Sequence, residues 1–413
     1  MGHEKFDREE EYLQSRGDEY IWRRARELGL SRRRFFQILA AGGVGAALSS
    51  RSGPKAWAAQ AAPAPVVKPT PKDLFYDFGS NKEMRWENMY ERGYLVPNEL
   101  FFVRNHTRTP SLDVAKWRLK IEGSGVQRPM ELTYNELLSL PSVSVIRYVE
   151  CAGNGRSFFA AVHGKKADGT QWKLGAVGVA EWTGVPLSEV LDRAGLKNGA
   201  TDVMPEGLDD LKVRRPMPVT KALAADTLLV YAMNGQPLPP DHGFPVRALL
   251  PGWIGVANIK WVGRIEVSEK PLFSAWNTDT YVLIGPDYKP EAPSKGPVLS
   301  NQDLKSALEL PWGGEMSAAR RLVRGRSWSP FGKITKVEYS LDQGRGWQTA
   351  RLREPNIAAA WARWDFDWEP KPGKHMIRVR ATDEKGNTQP DKVPFNQQGY
   401  LYNAMVDHPL EVK

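Results

Sequence analysis

Alternating apolar and polar residues run through the C-terminal part of the chain, from about residue 310 to residue 412. The alternation is clearest over residues 334–340 and 375–382, and the turn sequence DQGRG separates the first of these from a further run. A period of two predicts half-buried strands, and strands with turns at this spacing in about 100 residues are typical of an immunoglobulin-like sandwich. We therefore predict an all-β, immunoglobulin-like domain over residues 298–413.

Residues 74–297 show a mixed pattern, in which short apolar runs lie among short stretches of helical periodicity. The strands are predicted over residues 117–122, 143–149 and 261–267, and the helices over residues 133–138 and 187–194. The helices are too few and too irregular for a repeated βαβ fold, and the sequence has neither a G-x-G-x-x-G after a strand nor a P-loop. The predicted fold class is therefore α+β, with this mixed domain preceding the β-sandwich.

The first 58 residues have the features of an export signal. The arginines at 32–34 precede a weakly hydrophobic run over residues 38–48, which is too short to span a bilayer, and small residues at 56–58 offer a cleavage site. This order predicts a twin-arginine signal over residues 1–58 and a periplasmic or extracellular mature protein. A basic surface helix followed by a buried alanine-rich helix is the alternative. Residues 59–73 are rich in Pro and Ala and predict an extended linker.

The composition of the 413 residues is that of a globular protein, with 41% hydrophobic and 25% charged residues. The single cysteine excludes an internal disulfide, a cysteine-rich zinc site, an iron–sulfur cluster and a C-x-x-C-H haem attachment. The net charge of +9 is spread along the chain. No zinc-finger, RNP or basic-zipper pattern occurs, so nucleic-acid binding is not expected. No segment after the signal reaches transmembrane length.

The candidate chemistry centres on Cys151, in the sequence ECAGNGR at residues 150–156. A predicted strand runs into this Gly-rich turn, so the thiol lies at a strand end, where a side chain can point into a cavity. Gly153 and Gly155 allow the backbone to bend tightly, and Arg156 supplies a cation near the thiol, which favours the thiolate. A buried structural cysteine is the alternative interpretation.

This cysteine loop resembles that of the sulfite oxidase family of molybdenum enzymes, in which the thiolate binds the metal beside the dithiolene of one molybdopterin. Further segments resemble the family in the same order and cover essentially the whole chain from about Leu74. They are FFVRNH at 101–106, EGLD at 206–209, DHGFPVR at 241–247, PGWIG at 251–255 with NIKW at 258–261, SWS at 327–329 and SLDQG at 340–344. The resemblance implies a molybdenum–molybdopterin cofactor, Cys151 as its metal ligand, and a homodimer formed through the C-terminal domain.

The resemblance also implies which side chains surround the cofactor. They are Phe102, Val103, Arg104, Asn105, His106, Cys151, Asp209, His242, Arg247, Asn258, Ile259 and Lys260. The chemistry suits these roles, because His242, Arg247 and Lys260 can donate to a phosphate and Asp209 can accept from pterin N–H groups. Taken singly, His106 is equally consistent with an interior histidine and Arg247 with a surface ion pair.

Four residues resemble the substrate pocket of the family: Arg104, Arg156, Trp172 and Tyr281. Two guanidinium groups would bind a small oxyanion and orient sulfite for reaction. Trp172 would form a wall of the pocket, and Tyr281 would hydrogen-bond the substrate. Core packing is the alternative for both aromatic residues.

Two positions depart from the family pattern. A third active-site arginine, expected in a G-G-G-R stretch of the C-terminal domain, is replaced here within the sequence SPFGK at 329–333, where Lys333 keeps the charge but lacks the guanidinium fork. Gly155 occupies a position at which animal and plant members commonly carry arginine. We expect substrate affinity or loop order to differ from the family accordingly.

The resemblance implies oxidation of sulfite to sulfate, with water as the oxygen source and two electrons passed singly to an acceptor. Animal relatives carry an N-terminal haem domain for which the sequence after Ala59 offers no space, so we expect an external acceptor, such as a c-type cytochrome. A sulfane dehydrogenase of a thiosulfate-oxidising system, a molybdenum methionine sulfoxide reductase and a non-catalytic exported binding protein are the alternatives. The FFVRNH segment favours sulfite over sulfane, and the C-terminal β domain disfavours the reductase.

Overall fold

The computed structural model describes residues 65–413. The predicted twin-arginine signal over residues 1–58, and residues 59–64 of the predicted linker, lie outside the described residues, so both stay predictions. Among the described helices, none is both long and apolar enough to cross a membrane.

Strands dominate residues 65–413, and the α-helices between them are only four to seven residues long. The strands are β1 Phe75–Phe78, β2 Asn81–Met84, β3 Val103–Arg104, β4 Arg118–Glu122, β5 Met130–Thr133, β6 Val143–Glu150, β7 Val177–Pro186, β8 Asp202–Gly207, β9 Met217–Pro218, β10 Leu228–Met233, β11 Gln236–Pro237, β12 Arg247–Leu249, β13 Val262–Ser268, β14 Lys305–Leu308, β15 Glu315–Met316, β16 Arg321–Trp328, β17 Ile334–Ser340, β18 Gln348–Thr349, β19 Arg351–Arg353, β20 Trp361–Trp368, β21 Gly373–Asp383 and β22 Asp407–Val412. The α-helices are α1 Tyr134–Ser139, α2 Phe158–His163, α3 Leu187–Arg193, α4 Val219–Ala222 and α5 Ala275–Thr278. Single turns of 3-10 helix occur at Trp86–Met89, Pro240–His242 and Gly255–Ala257.

Three sheets build the N-terminal region. The first has the order β1-β2-β3, the second β11-β10-β7-β6 with β12 also paired to β10, and the third β5-β4-β13-β8-β9. Every residue of β7 except its terminal Pro186 is buried, because β6 and β10 flank this strand. The sequence of β7 is accordingly almost continuously apolar and not alternating.

The C-terminal region is a sandwich of two sheets, with the orders β14-β16-β20-β19 and β15-β22-β21-β17-β18. Its core joins inward side chains of both sheets, as in the stacked rings of Tyr339 on β17 and Phe366 on β20, whose centroids are 3.6 Å apart. Period-two alternation on β17 and β21 produces this arrangement, because successive side chains point to opposite faces. The predicted strands at 334–340 and 375–382 are confirmed, whereas the immunoglobulin-like topology stays a prediction.

The strands predicted at 117–122, 143–149 and 261–267 are confirmed as β4, β6 and β13, and the predicted helices as α1 and α3. Helix α1 begins where the sequence indicates, since Thr133 and Glu136 form a capping box. The α+β prediction fits only loosely, because the helices are short and the strands carry most of the regular structure.

One apolar core continues from the N-terminal region into the sandwich. Trp328 on β16 stacks on Trp86, with ring centroids 6.0 Å apart, and Trp361 and Tyr402 belong to the same cluster. The sandwich is therefore packed directly against the elements that carry the cysteine loop. The boundary predicted at residue 298 stays a prediction.

Candidate active site

The carboxyl end of β6 places Cys151 in the interior of the protein. The Cys151 N–H donates to the carbonyl of Ala176 at 2.9 Å, and the Cys151 carbonyl accepts from the N–H of Asn154 at 2.9 Å. These main-chain bonds turn the chain from β6 towards α2 and leave the thiol buried. Cys151 therefore lies at a strand end, as the sequence pattern predicts.

Cys151 separates two cavities and lines both of them, together with Arg104 and Tyr281. The inner cavity has a volume of about 700 Å³, and the outer cavity, which is more open, about 1200 Å³. The inner cavity is also lined by Phe102, His106, Asp209, Asp241, His242, Arg247, Asn258, Ile259 and Lys260. The outer cavity is also lined by Arg156, Asp168, Thr170, Asp279, Lys295, Gln397, Gln398 and Tyr400.

Two buried cations lie in the wall of the inner cavity. Lys260 donates to the side-chain oxygen of Asn105 and, at 2.8 Å, to the carbonyl of Asp241. Burial, together with the nearby Arg247, lowers the pKa of Lys260 well below its ordinary value. Burial also lowers the pKa of Arg247 to about 9. Because burial of a charge without an opposite charge is unfavourable, this wall favours an anionic ligand.

The carboxylate of Asp241 has protein partners of its own. It accepts from the main-chain N–H groups of Val67 and Lys68, at 2.9 and 2.7 Å, and from the hydroxyl of Thr109 at 2.5 Å. Residues 67 and 68 belong to the predicted linker, so this part of the linker is fixed against the cavity wall. The side chain of Asp241 is therefore engaged in holding the N-terminal segment.

Three buried polar atoms in residues of the inner cavity have no hydrogen-bond partner: Oδ2 of Asp209, Nε2 of His242 and Nε of Arg247. Buried polar atoms are nearly always paired, so these atoms indicate a ligand that both donates and accepts. A pterin with a phosphate has this character, since the phosphate can accept from His242 and Arg247 while ring N–H groups donate to Asp209. The donor set of this cavity therefore fits the implied cofactor.

Arg104 lies at the end of β3 beside Cys151. Its guanidinium donates to the carbonyl of Asn105, and both Arg104 and Cys151 line the two cavities. Burial lowers the pKa of the Arg104 guanidinium. The neighbouring Tyr281, Cys151 and Tyr400 raise this pKa by more, so the net shift is upward. Arg104 is thus a permanent cation that shares the walls of both cavities with Cys151.

Tyr281 and His106 form a pair at the same junction. The Tyr281 hydroxyl and Nε2 of His106 share a hydrogen bond of 2.9 Å. Burial, Arg104 and Lys260 lower the pKa of His106 well below its ordinary value, so the imidazole is neutral at pH 7. Burial raises the pKa of Tyr281, so the phenol keeps its proton. Tyr281 has a positive φ of 57°, a conformation that aims its ring along Tyr400, whose ring stacks on it at 5.0 Å.

Arg156 forms one wall of the outer cavity. It donates to the carbonyls of Gln398 at 2.7 Å and Thr170 at 2.8 Å, and its guanidinium lies 5.3 Å from the centre of the Tyr400 ring. These contacts fix the cation at the end of the cysteine loop, in the wall of the outer cavity. Arg104 and Arg156 therefore present two guanidinium groups on the outer side of Cys151.

Most of the predicted site residues converge on the two cavities, and four expected ones do not line them. Val103 is buried in β3, and Asn105 is a buried neighbour that accepts from Lys260. Trp172 is fully buried and packs edge-on against Phe78 at 5.6 Å, so its predicted place in the pocket wall is not what the structure has. Lys333 is exposed in the turn between β16 and β17 and lines neither cavity, so it does not replace the missing arginine.

The structure adds site residues that sequence reasoning missed. Tyr400 and Gln398 reach the outer cavity from the sandwich side, and Lys295 lines its rim in an ion pair of 2.7 Å with Asp279. The sequence could have identified Asp241 as a site residue, because it is the first residue of the DHGFPVR motif. Residues 397–400, in contrast, match no motif and show no periodicity. Their position becomes visible only when the C-terminal segment folds back onto the cysteine loop.

Comparison with known families agrees with this geometry. Residues 106–276 match the family described as "Oxidoreductase molybdopterin binding domain", and residues 300–412 match "Mo-co oxidoreductase dimerisation domain". The sulfite oxidase of Gallus gallus is 36% identical over 345 residues, which cover 78% of this chain and 74% of that protein. The mitochondrial sulfite oxidase of Homo sapiens is 34% identical over 75% of this chain, and the match spans 60% of the human protein.

A solved structure has the same fold. The sulfane dehydrogenase SoxCD from Paracoccus pantotrophus superposes with a TM-score of 0.70 at 28% identity, covering 79% of this chain and 82% of that chain. A strand-end thiol beside a cation-lined cavity, within these two family matches, defines a molybdopterin-dependent oxidoreductase. The chain belongs to the sulfite oxidase family of molybdenum enzymes, and its cofactor is molybdenum–molybdopterin.

Proposed function

We propose that this protein oxidises sulfite to sulfate at the junction of the two cavities. The observation that carries the proposal is the pair of guanidinium groups, Arg104 and Arg156, on the outer side of the only thiol in the chain. A small oxyanion in the outer cavity would meet both cations next to Cys151. Identity of 34–36% to proteins described as sulfite oxidases supports the same substrate class.

The residues of the inner cavity would hold the cofactor, with Cys151 as the metal's thiolate ligand. His242, Arg247 and Lys260 would neutralise its phosphate, and Asp209 would accept from the pterin ring. When bound, this cofactor supplies two-electron oxidation in which water provides the oxygen atom.

The protein groups on the outer side bind and orient the substrate. Arg104 and Arg156 would hold the sulfite oxygens, which would direct the sulfur lone pair away from the cations and towards the cofactor that the inner cavity would hold. Tyr281 keeps a proton on its hydroxyl, and the neutral His106 holds that hydroxyl in place. When the ring proton of His106 is on Nε2, this nitrogen donates to the Tyr281 oxygen, and the phenol proton is left to donate to an oxygen atom at the junction without bringing a charge.

Oxidation of a sulfane sulfur is the second candidate, since the solved structure of SoxCD shares the fold at 28% identity. Against it stands the pair of guanidinium groups, Arg104 and Arg156, in the outer cavity, which suits a free oxyanion.

The wider context of the enzyme is part of the same proposal. The arginines at 32–34 and the alanine-rich run after them support export by the twin-arginine route to the periplasm or beyond. The match of residues 300–412 to a dimerisation domain supports a homodimer. The electrons would pass to an external acceptor, such as a c-type cytochrome.

The proposal is tested by comparing sulfite, thiosulfate and methionine as electron donors to ferricyanide with purified, molybdenum-loaded protein. We expect the highest kcat/KM for sulfite, with sulfate as the product. A higher kcat/KM for thiosulfate would favour the sulfane alternative, and turnover of methionine alone would contradict both.

A further inference from the structure

Side chains of the sandwich converge on Glu150, the residue directly before Cys151. The Lys305 ammonium on β14 donates to Oε1 of Glu150 at 2.7 Å, and the indole N–H of Trp328 on β16 donates to Oε2 at 2.9 Å. The amide of Gln302 donates to the main-chain carbonyl of Glu150 at 2.7 Å. Each of these three donors comes from the C-terminal region, whereas Glu150 ends a strand of the N-terminal sheet.

Lys305 also reaches the other end of the cysteine turn. Its ammonium donates to the carbonyl of Asn154 at 3.1 Å, and the Asn154 amide donates to Oε1 of Glu150 at 2.9 Å. One ammonium group therefore bonds to both ends of residues 150–154, with Cys151 between them. Since consecutive Cα atoms are held about 3.8 Å apart, a displacement of Glu150 is passed directly to Cys151.

The buried ion pair between Glu150 and Lys305 is not explained by a contribution to protein stability alone. The Glu150 side chain is 0% exposed and that of Lys305 is 1% exposed, so both charges are fully desolvated. Replacing a buried ion pair by packed apolar residues is often neutral or stabilising, so such a pair is weak evidence for a role in stability. Its directional bonds do, however, specify one geometry for the turn that carries the thiol.

We propose that Lys305 and Trp328 are positioning residues for Cys151, through which the sandwich fixes the thiol at the metal position. The inference rests on the proposed function only in taking Cys151 as the metal's thiolate ligand. Partners that orient a metal ligand from the second layer commonly affect affinity or activity by about 10- to 100-fold when they are changed. The sandwich would then contribute to the metal site as well as to assembly.

The test compares Lys305→Met and Trp328→Phe with a matched control, Arg326→Met. Arg326 forms another buried ion pair of the sandwich, 2.6 Å from Glu309 with side chains 1% and 4% exposed, and it also bonds across to the carbonyl of Tyr94 at 3.0 Å. Its hydrogen bonds go to Glu309, Tyr94 and Gly93, and none of them reaches residues 150–154. The Arg326→Met control therefore also removes a buried cation at the junction of the two regions, but it removes no hydrogen bond to residues 150–154.

Two readouts do not depend on sulfite turnover. The first is the alkylation rate of Cys151, the only thiol, in the full-length chain produced without cofactor. The second is the Mo(V) EPR signal of the loaded enzyme reduced with dithionite. Both can be read even if sulfite is not the substrate, so failure of the proposed function and failure of this inference are distinguishable.

We expect Lys305→Met to accelerate alkylation by about tenfold or more, because opening of the turn exposes the thiol. The Mo(V) signal should shift, and kcat should fall by about 10- to 100-fold with KM little changed. Trp328→Phe, which keeps the ring and removes one donor, should shift the same readouts less, and it serves as the test if Lys305→Met does not fold. Alkylation and EPR equal to those of Arg326→Met in both variants would overturn the inference.

Discussion

At the scale of single residues, Arg104 carries the largest share of the proposed chemistry, because among the described cations it alone lines both cavities together with Cys151. Its environment explains why an arginine is needed. A lysine buried at this depth would lose its proton readily, whereas a guanidinium stays charged. The charge at this position is therefore independent of pH over the working range.

Replacement of Arg104 by Gln should weaken the capture of sulfite. Loss of a charged hydrogen bond costs about 1.5–3 kcal/mol, so kcat/KM should fall about 10- to 100-fold, chiefly through a higher KM. Steady-state kinetics with sulfite measure this change. Arg108→Gln is the control, since Arg108 is 60% exposed in a surface ion pair with Asp210. An unchanged KM in Arg104→Gln would place the oxyanion elsewhere.

The residue scale also shows how far the sequence alone can go. The ordered motifs predict Asp209, His242, Arg247 and Lys260 as site residues, and all four line the inner cavity. The same motifs predict Trp172 in the pocket wall, but its side chain is buried in the core and packs edge-on against Phe78. A motif identifies a residue's place on the chain, whereas packing decides the direction of its side chain.

At the scale of elements, the segment over residues 396–402 completes the outer cavity. The bond from Arg156 to the carbonyl of Gln398 joins residues 242 positions apart. Local hydrophobic periodicity does not encode a contact between residues so far apart along the chain. The sequence could therefore predict the strands of the sandwich, but not that residues 396–402 form a wall of the outer cavity. Tyr402 of the same segment packs closely against Gly155, where φ is +94° and an added Cβ would lie 3.1 Å from the Tyr402 side chain, so glycine is favoured at this position.

Replacement of Gly399 by Ala should disturb this wall selectively. Gly399 has φ +59°, and a Cβ there would lie 2.6 Å from Cγ of Arg156. We expect the segment to shift away from Arg156 and the KM for sulfite to rise several-fold, with stability lowered by about 1–2 kcal/mol. Steady-state kinetics together with thermal unfolding report both effects.

Gly386→Ala is the matched control, because Gly386 has φ +84° and open space around its Cβ position. The Gly386→Ala variant has a similar cost of a positive φ in a non-glycine residue, but its added Cβ would meet no atom within 4 Å. Equal KM values for the two variants would contradict a role of residues 396–402 in the substrate pocket.

At the scale of the whole molecule, the sandwich and the N-terminal region behave as one packed body. Trp86 and Trp328 stack across the junction, and the pair of Glu150 and Lys305 lies buried within it. The domain order and the two-sheet sandwich were predictable from composition and alternation, because each depends on local periodicity. The apolar core that the two regions share could not be predicted from the sequence, because it joins residues that are distant along the chain.

Stability should depend on pH through His408 at this junction. Its ring lies against Trp312 and its Nε2–H donates to the carbonyl of Pro311 at 3.0 Å, while burial lowers the pKa of His408 to about 4. Below the unfolded pKa of about 6.5 the unfolded chain takes up a proton that the folded state does not, so stability falls as the pH drops from about 6.5 to about 4. The loss from this residue is about 3 kcal/mol.

Urea unfolding between pH 4 and pH 7 measures this dependence. His408→Gln keeps a donor for Pro311 and cannot titrate, so the difference in unfolding free energy between wild type and variant isolates the contribution of His408. A difference that stays constant across this range would show that the histidine does not titrate on unfolding as described.

The central claim is that Cys151 is the sulfur ligand that the protein supplies to molybdenum. X-ray absorption at the molybdenum edge tests it most directly, by counting sulfur neighbours in loaded wild type and in Cys151→Ser. We predict one sulfur neighbour fewer in Cys151→Ser, together with loss of sulfite oxidation. The same number of sulfur neighbours in both proteins, or full sulfite turnover by Cys151→Ser, would contradict the assignment.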